Sequence, residues 1–422
     1  MSRYAHLPDR VVILSFEGPD PYSMVGGLGV RATELATALD EQGLRTDLIF
    51  VGDPHLDGVE SRGDALTLRR WCQWISLYHP QGVYDGEWGK IEDYGRSVPS
   101  FVLDDVVRPA AERGKRVLVM AEDWQVVPAV RHLDRLARAA GLRDALTMAW
   151  NANNTYGFHT IDFYALAQAA HITCVSRYMK FELGLHGAQA LVIPNGIPER
   201  IFSEASPAGA AYLRRMLGGR HLLLKVGRFD PDKRWLQAID AVADLRAQSV
   251  PVQLIVRGGK EPYAATIFER ARERGLSIDD VKLDTPSAET LAGVLANSHA
   301  DIVNVRSFLP DELLYTLYAA VDAVLANSGK EPFGLVGLEV MASGGIAVCG
   351  STGEDYARAF DNAIVCDTAD PAELASYLEH LWSELGIRER MIESALATAR
   401  QFTWPSVLEV LDAKLAFVTS RA

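Results

Sequence analysis

Two glutamates, Glu331 and Glu339, flank a glycine-containing turn with seven residues between them. The apolar run 320–325 before them predicts a buried strand, and the segment 334–343 has helical spacing. The turn is therefore expected at the carboxyl end of a strand, where open α/β sheets bind ligands. At the rise of a helix the carboxylates would lie about 10 Å apart, too far to share a proton. The pattern favours two polar groups of one elongated ligand, such as a sugar with a second polar part.

The start of the helix in this segment adds a site for an anion. The N–H groups of Gly334 and Leu335 would have no partner inside the helix and would suit a phosphate. A capping turn before an ordinary amphipathic helix is the structural alternative.

Two cations stand five residues apart in the segment VGRFDPDK, where Arg228 follows a predicted strand and Lys233 lies near the start of a helix. A fork-shaped guanidinium and a compact ammonium together make a clamp for a diphosphate. In the alternative interpretation Asp230 or Asp232 caps the helix and both cations are solvated.

A glycine-rich loop containing Gly26, Gly27 and Gly29 follows the first predicted strand and opens the helical pattern 30–39. These glycines would let a ligand approach the backbone closely at a helix start. A dinucleotide-binding Rossmann loop is the alternative. The spacing is not G-x-G-x-x-G, however, and no acidic ribose partner ends the second strand at the usual distance.

These segments resemble, in chain order, the signature of the retaining GT-B glycosyltransferases, which include the glycogen and starch synthases and related bacterial group-1 sugar transferases. The similarity lies in GGLG at 26–29, EDW at 122–124, PNGI at 194–197, GR-x4-K at 228–233 and EPFGLVGLEVMASGG at 331–345. It spans nearly the whole chain. It implies that a nucleotide diphosphate sugar is bound and that its sugar is transferred.

The resemblance also implies individual roles. Glu331 would contact the donor sugar, Glu339 the ribose hydroxyls, and Arg228 with Lys233 the diphosphate. The remaining predicted donor-binding residues are Gly334 and Leu335, through their backbone, and Gly26, Gly27 and Gly29 of the glycine-rich loop. No cofactor and no metal ion is expected, because the two cations and the helix starts would neutralise the diphosphate.

The chain departs from the family pattern at two positions. Met24 occupies the place of a lysine in the glycogen and starch synthases, and Trp150 stands where many relatives have a histidine near the donor sugar. We predict that Asn151 or a neighbouring asparagine replaces that histidine as a neutral, catalytic hydrogen-bond donor. The alternative is a turn rich in asparagine, with His159 nine residues further on.

Aromatic residues crowd the stretch 71–94, which lacks a steady periodicity. In this fold acceptors bind to the first domain, so we predict an acceptor-binding surface. A satellite core beneath a loop is the alternative. The predicted acceptor-binding residues are Trp71, Trp74, Tyr84 and Trp88.

Composition restricts the functional classes. The 422 residues are 48% apolar and carry a net charge of −13, so two substantial cores are expected and no basic surface suggests a nucleic-acid partner. No apolar run is long enough for a membrane span, and the N-terminal run is too short for a signal peptide. Four dispersed cysteines without a C-x-x-C pair are expected to be reduced core residues of a cytoplasmic protein.

Short β-branched runs alternate with helical patterns, which predicts an α/β fold with parallel sheets covered by helices. We therefore predict the GT-B architecture, with two Rossmann-like parallel-sheet domains facing a central cleft. An acceptor-binding domain would span 1–200, a nucleotide-sugar-binding domain 201–402, and a helix in 403–422 would pack back on the first domain. The predicted strands are 11–16, 47–51, 117–121, 146–150, 172–176, 191–194, 222–227, 252–257, 281–283, 302–305, 323–326, 346–349 and 364–366.

The predicted function is retaining transfer of a hexose, glucose above others, from a nucleotide diphosphate sugar to a hydroxyl acceptor such as a carbohydrate. UDP-glucose and ADP-glucose both fit as donors. Two alternatives stay open. One is a glycoside phosphorylase on the same scaffold, and the other is a non-catalytic binder of nucleotide sugars.

Overall fold

A computed structural model describes residues 4–419 and divides the chain into two compact units. The N-terminal unit consists of the chain up to Pro198 and from Trp404 onward, and the C-terminal unit is Glu199–Thr403. Each has its own sheet and its own core. Within the described residues no helix is long and apolar enough to cross a bilayer.

The N-terminal unit contains an eight-stranded sheet in the order β3-β4-β2-β1-β5-β6-β7-β8. All neighbouring strands are parallel except β3 and β4. The strands are β1 (Arg10–Leu14), β2 (Arg45–Val51), β3 (Val59–Arg62), β4 (Leu66–Trp71), β5 (Val117–Glu122), β6 (Leu146–Ala152), β7 (His171–Cys174) and β8 (Leu191–Val192). The helices are α1 (Gly27–Glu41), α2 (Gln73–Ser76), α3 (Glu87–Phe101), α4 (Arg108–Ala111), α5 (Val127–Ala139), α6 (Phe163–Ala169) and α7 (Arg177–Leu185).

The C-terminal unit contains a seven-stranded parallel sheet in the order β11-β12-β10-β9-β13-β14-β15. Its strands are β9 (His221–Val226), β10 (Val252–Arg257), β11 (Ile278–Val281), β12 (Ile302–Val305), β13 (Ala323–Ala326), β14 (Ala347–Cys349) and β15 (Ile364–Val365). Its helices are α8 (Ile201–Glu204), α9 (Pro207–Met216), α10 (Trp235–Ala247), α11 (Ala264–Glu273), α12 (Ala288–Asn297), α13 (Asp311–Ala320), α14 (Leu335–Ala342), α15 (Pro371–Ser383) and α16 (Ile387–Ala399).

The last helix, α17 (Trp404–Thr419), completes the core of the N-terminal unit. Trp404 packs directly against Gly196, where any side chain would overlap the indole ring. The Trp404 amide donates to the Ile197 carbonyl at 3.1 Å. In the middle of the helix Asp412 accepts from the Leu7 amide at 2.7 Å. The helix therefore closes the unit in which the chain begins.

The predicted α/β class with two parallel sheets is confirmed. The central strands are apolar along their length because helices cover both faces of a parallel sheet. Every predicted strand corresponds to an observed one, with ends that shift by up to three residues. The prediction omitted β3 and β4, which extend the first sheet beyond β2. All four cysteines are buried and unpaired, as expected of core residues.

Candidate active site

In the C-terminal unit, the loops after β9, β13 and β14 converge because these strands are neighbours in the sheet. Lys233 follows β9, and its Nζ donates to Oε2 of Glu331, which follows β13, at 2.5 Å. Both side chains are partly exposed. Sequence analysis assigned the two residues to different parts of a donor, and the structure shows that they also pair with each other.

Glu354 lies beneath this ion pair, in the loop after β14. Its side chain accepts from the amides of Gly350 and Thr352, each at 3.3 Å. Thr352 also accepts from the Glu331 amide at 2.9 Å, so the two loops are held together. Burial, followed by the nearby charge of Glu331, raises the pKa of Glu354 to about 7. Sequence analysis missed this carboxyl, although its place just after a strand was a usable signal.

Gly334 forms the turn that opens α14 and has a φ of +82°, which favours glycine. A Cβ there would lie 2.8 Å from Cγ of Glu354, and the Tyr356 hydroxyl donates to the Gly334 carbonyl. The amides of Gly334 and Leu335 donate to no group within residues 4–419. Glu354 and Tyr356 thus hold the turn in place, while the N–H groups of Gly334 and Leu335 can still donate to a ligand.

The position of Glu331 corrects the predicted distance between the Glu331 and Glu339 carboxylates. The helix begins only at Leu335, so Glu331 lies in the loop before it and not on the same helix as Glu339. The separation of about 10 Å that a continuous helix would give does not apply. Glu339 is half-buried on α14, where its charge adds to the effect of burial in raising the pKa of Tyr318.

Arg228 is exposed, and its guanidinium makes no hydrogen bond or ion pair in the described part of the chain. Only its backbone carbonyl is engaged, by Nε1 of Trp235 at 2.8 Å. Below it, the buried Lys225 donates to the Leu325 carbonyl at 2.9 Å and to Oδ1 of Asn327 at 2.6 Å. Burial, followed by repulsion from Lys233, lowers the pKa of Lys225 to about 7. Within residues 4–419, Arg228 is thus an exposed cation at this edge of the sheet whose guanidinium has no partner.

The glycine-rich loop of the N-terminal unit is already occupied by a carboxylate of the chain. Glu17, which follows β1 and is buried, accepts through Oε2 from the amides of Val25, Gly26 and Gly29 at 3.2, 3.0 and 3.0 Å. Its Oε1 accepts from the Tyr84 hydroxyl. Of the predicted loop residues, Gly26 and Gly29 thus use their amides internally, whereas Gly27 is the first residue of α1 and does not bond to Glu17.

The predicted acceptor-binding residues divide into two groups. Trp71 packs inward, with Nε1 donating to Ser97 Oγ at 2.7 Å and its ring against Phe101. Trp74, Tyr84 and Trp88 are exposed. The structure therefore leaves three of the four rings accessible.

Asn151 belongs to a buried network at the carboxyl end of β6. Its Nδ2 donates to Glu122 Oε2 and to Asn153 Oδ1, each at 3.0 Å, and its Oδ1 accepts from Thr173 at 2.9 Å. Its side chain is 2% exposed, and Glu122 also pairs with the buried Arg31 at 2.9 Å. The proposed hydrogen bond from Asn151 to a donor sugar is therefore not what this geometry favours, because both ends of the amide are already used.

Asp123 adjoins this network in an unusual backbone conformation. Its φ is +67°, which is rare for a residue with a side chain. Burial is the main cause that raises its pKa to about 7. The Asp123 carboxylate accepts from Asn154 Nδ2 at 2.7 Å, and its carbonyl accepts from Nε1 of Trp150 at 2.8 Å. His159, five residues after Asn154, is exposed. Strain of this kind is concentrated at functional sites.

The polar residues of the two units differ in how accessible they are. In the N-terminal unit Asn151 and Glu122 belong to a buried network, whereas the polar group of the C-terminal unit is partly exposed. The C-terminal unit brings together Lys233, Glu331 and Gly334, with Arg228 close in the chain. The residues that sequence analysis missed, Glu17, Glu354 and Lys225, hold the loops from beneath. Within residues 4–419 no three His, Cys, Asp or Glu side chains are grouped as metal ligands would be.

Comparisons with known proteins agree with this picture. Residues 290–398 match the family model for glycosyl transferases group 1. A D-inositol 3-phosphate glycosyltransferase from Thermomonospora curvata is 32% identical over 213 residues, which cover 48% of this chain and 45% of that protein. The chain thus spans about half the length of this curated relative.

Solved structures with low sequence identity share the fold. A sucrose-phosphate synthase from Thermosynechococcus elongatus superposes with a TM-score of 0.70 at 17% identity, covering 98% of this chain and 100% of the other. The catalytic domain of starch synthase IV from Arabidopsis thaliana, bound to ADP and acarbose, gives 0.69 at 17% identity, with 98% and 99% covered. The GT-B fold and the resemblance to group-1 sugar transferases are confirmed.

Proposed function

We propose that this chain, whose residues 290–398 carry the group 1 glycosyl transferase signature on a GT-B fold, transfers a hexose from a nucleotide diphosphate sugar to a hydroxyl acceptor with retention at the anomeric carbon. The observation that carries the proposal is the open cationic group of the C-terminal unit. There, as far as residues 4–419 show, Arg228 has no side-chain partner and the Gly334 turn has free amides, and both follow strand ends together with the Lys233–Glu331 pair.

Each part of this group matches one part of a donor. Arg228, Lys233 and the amides of Gly334 and Leu335 supply positive charge for a diphosphate. Glu331 is held next to Lys233 and can accept hydrogen bonds from sugar hydroxyls while the ammonium faces a phosphate. Glu339, further along α14, suits the ribose hydroxyls. Donor recognition would thus lie within one unit.

In the proposed reaction, the acceptor oxygen bonds to the anomeric carbon on the face from which the diphosphate leaves. The bond between that carbon and the phosphate oxygen breaks, and the leaving phosphate oxygen takes the acceptor proton. The negative charge on the diphosphate grows in this step. Fixed donors such as Arg228 and Lys233 stabilise this larger charge in the transition state more than the smaller charge of the bound donor. That difference is the main way in which such a site can accelerate transfer.

The test is incubation with UDP-glucose or ADP-glucose and a panel of sugar acceptors, with nucleoside diphosphate release and the product anomer measured by NMR. Both donors are α-linked, so retention predicts an α-glycoside. A β-glycoside would contradict the retaining mechanism. Turnover of a disaccharide with inorganic phosphate and no nucleotide would instead support the phosphorylase alternative.

The nucleotide can be identified independently of turnover. A nucleoside diphosphate at 100 times its dissociation constant should add about 2.7 kcal/mol to stability. Thermal unfolding with UDP, ADP and GDP therefore ranks the bases. Stabilisation without turnover of any sugar nucleotide would favour the non-catalytic binder.

A further inference from the structure

The turn that opens α14 contains a peptide unit whose orientation is not fixed by its own residues. Gly334 has a φ of +82° and a ψ of +62°. A glycine has no Cβ and adopts several regions of φ and ψ at similar cost. The peptide unit that joins Gly334 to Leu335 can therefore rotate about the single bonds on either side of it. Another part of the chain must select the orientation that is observed.

This orientation decides which atom of the peptide unit faces a ligand. The described peptide bonds are all trans, so the Gly334 C=O and the Leu335 N–H point in opposite directions. As observed, the N–H has no partner within residues 4–419 and is available to a phosphate oxygen. In a flipped peptide unit the carbonyl oxygen would take its place, and its partial negative charge would repel a phosphate.

Tyr356, in the loop after β14, holds the carbonyl side of this peptide unit. Its hydroxyl donates to the Gly334 carbonyl oxygen. The side chain is buried, and its ring packs edge-on against Phe333 and Phe402 with centroids 5.8 and 5.9 Å apart. Burial raises the pKa of Tyr356 well above its usual range, so the hydroxyl stays protonated and keeps donating. An ordered donor thus fixes the Gly334 carbonyl toward the interior of the unit.

Two glycines of the segment 331–339 make room for this hydroxyl. At Gly337, in the first turn of α14, a Cβ would lie 2.3 Å from the Tyr356 hydroxyl oxygen, which is too close for any side chain. At Gly334 a Cβ would lie 3.0 Å from the same atom. The turn and Tyr356 are therefore matched to each other.

Thr352, in the same loop, holds the other end of the turn. Its Oγ1 accepts from the Glu331 amide at 2.9 Å and donates to the Glu331 carbonyl at 3.3 Å. One hydroxyl thus fixes both backbone groups of the residue whose carboxylate pairs with Lys233. Tyr356 acts on the part of the turn that carries the free amides, and Thr352 acts on the part that carries the carboxylate.

We propose that Tyr356 and Thr352 are positioning residues for the sugar nucleotide. The Tyr356 hydroxyl keeps the Leu335 N–H directed at the diphosphate. The Thr352 hydroxyl keeps the Glu331 carboxylate at the sugar. Both act through the backbone of the turn and not by touching the donor. The inference rests on the proposed glycosyltransferase function and adds two residues that lie outside the sequence motifs of the donor site.

Tyr356→Phe removes the hydroxyl and keeps the ring. The matched control is Tyr94→Phe in the N-terminal unit, because the buried Tyr94 hydroxyl also donates to a backbone carbonyl, that of Ile49 at 2.8 Å. Urea unfolding should show a similar loss of stability in both variants, since each loses one hydrogen bond of the same kind.

Ligand binding should separate the two tyrosine variants. The probes are the nucleoside diphosphate, among UDP, ADP and GDP, that stabilises the parent most, and the corresponding nucleoside. Calorimetry should show that Tyr356→Phe weakens binding of the diphosphate about three- to tenfold, on the scale of one hydrogen bond. Its affinity for the nucleoside should change less than about twofold, because the nucleoside has no phosphate for the Leu335 amide. Tyr94→Phe should leave both affinities within about twofold of the parent.

Thr352→Val tests the other end of the turn with a side chain of nearly the same shape. It should lower kcat for the sugar nucleotide about tenfold, while affinity for the nucleoside diphosphate stays within about twofold of the parent. Thr316→Val on α13 is the matched control. The Thr316 hydroxyl likewise accepts from an amide, that of Ser206 at 3.0 Å, and donates to a carbonyl, that of Glu312 at 2.7 Å.

The outcomes distinguish this inference from the proposed function. A parent protein that neither binds these nucleotides nor consumes a sugar nucleotide would overturn the proposed function. If the parent does both, each variant decides the role of its own residue. Tyr356→Phe would overturn the first role by behaving like Tyr94→Phe, or by weakening nucleoside and diphosphate equally. Thr352→Val would overturn the second by keeping the kcat of Thr316→Val.

Discussion

Two glycine turns, one in each unit, follow a strand and open a helix, yet they differ in what fills them. In the N-terminal unit, the amides of Val25, Gly26 and Gly29 surround the carboxylate of Glu17. In the C-terminal unit, the amides of Gly334 and Leu335 are free within the described chain. A helix start that follows a strand thus holds an internal anion in one unit and is open to an external anion in the other, although Gly26 is extended and Gly334 is left-handed.

The comparison shows why a glycine-rich sequence alone does not identify a phosphate site. Helix starts attract anions, and a buried glutamate of the same chain satisfies that demand as well as a ligand does. The surrounding charges distinguish the two cases. Arg228 and Lys233 accompany the Gly334 turn, whereas residues 24–29 of the glycine loop contain no lysine or arginine, and Met24 occupies the place of a lysine in the glycogen and starch synthases that this loop resembles. We therefore expect the diphosphate of the donor to be bound and neutralised mainly by the C-terminal unit.

The largest effect should follow from removing the open cation. Arg228→Ala should lower kcat by about 10²- to 10³-fold, because the growing charge on the diphosphate loses a fixed donor. Affinity for the nucleoside diphosphate should change less than tenfold, since that charge is smaller in the ground state. Steady-state kinetics and calorimetry measure the two quantities. Arg272→Ala, on the surface of α11, is the control. A variant that raised only KM would make Arg228 a binding residue alone.

Lys233→Ala should have an effect of similar size on kcat. It also leaves the Glu331 carboxylate without its partner. Comparison with Lys233→Arg, which keeps the charge and the ion pair, separates the loss of charge from the misplacement of Glu331. Full activity of Lys233→Ala would contradict the assignment of both residues.

The internal anion can be removed from the other turn. Glu17→Ala should cost about 2–3 kcal/mol of stability, because three amides and the Tyr84 hydroxyl lose a buried acceptor. Urea unfolding measures this loss, and Glu41→Ala at the exposed end of α1 is the control. Inorganic phosphate should restore part of the lost stability by occupying the vacated amides. A variant as stable as the parent would show that the loop does not depend on this carboxylate.

The next effect depends on pH and concerns the carboxyl beneath the Lys233–Glu331 pair. The pKa of Glu354 rises from 4.5 to about 7 on folding, mainly through burial. The folded state therefore holds more protons than the unfolded state in this range, and stability falls as pH rises from about 4.5 to 7. In Glu354→Gln the free energy of unfolding should therefore decrease over this pH range by about 2 kcal/mol less than in the parent.

Urea unfolding at pH 5 and pH 8 measures the difference between Glu354→Gln and the parent. Exposed Glu269→Gln is the control. The pKa of Asp123 in the N-terminal unit is also raised to about 7 and gives a slope of the same sign, so part of the slope should persist in the Glu354 variant. A Glu354→Gln variant with the parent's pH slope would refute the assignment.

The elements that sequence could predict are those with a strong apolar period. The strand β5 and its neighbours are buried on both faces, so continuous apolar runs mark them. The strand β4, in contrast, alternates buried and half-buried residues and contains two arginines, Arg69 and Arg70, whose partners come from other elements. Its position depends on those long-range ion pairs, which no local pattern contains.

The same distinction applies to the candidate site. The sequence named Arg228, Lys233, Glu331 and the Gly334 turn because each belongs to a local motif. It could not show that Glu17 fills the glycine loop or that Asn151 is buried among Glu122, Asn153 and Thr173. Both facts depend on which strands lie side by side. An asparagine cluster looks equally suited to a ligand and to an internal network until those neighbours are known.

A smaller effect is expected from the second glutamate of the motif. Glu339→Ala should weaken nucleoside diphosphate binding about tenfold, which is about 1.4 kcal/mol, because it removes a partner of the ribose and not of the reacting carbon. The parent should distinguish the ribonucleotide from its deoxyribose analogue, and the variant should do so less. Calorimetry with both nucleotides measures this, with Glu269→Ala as the control. Unchanged affinity for the ribonucleotide would contradict the assignment to ribose.

The smallest expected effect is that of chelation. If Arg228, Lys233 and the amides of the Gly334 turn neutralise the leaving diphosphate by themselves, EDTA should leave kcat within about twofold of its value without chelator. The same experiment on Arg228→Ala sharpens the comparison, because a divalent cation added to this variant could partly replace the missing charge. Complete loss of parental activity in EDTA, restored by Mg²⁺ or Mn²⁺, would show that the Gly334 turn needs a metal ion to bind its anion. The two turns would then differ in whether a carboxylate of the chain already fills them, and less in the positive charge that the nearby side chains supply.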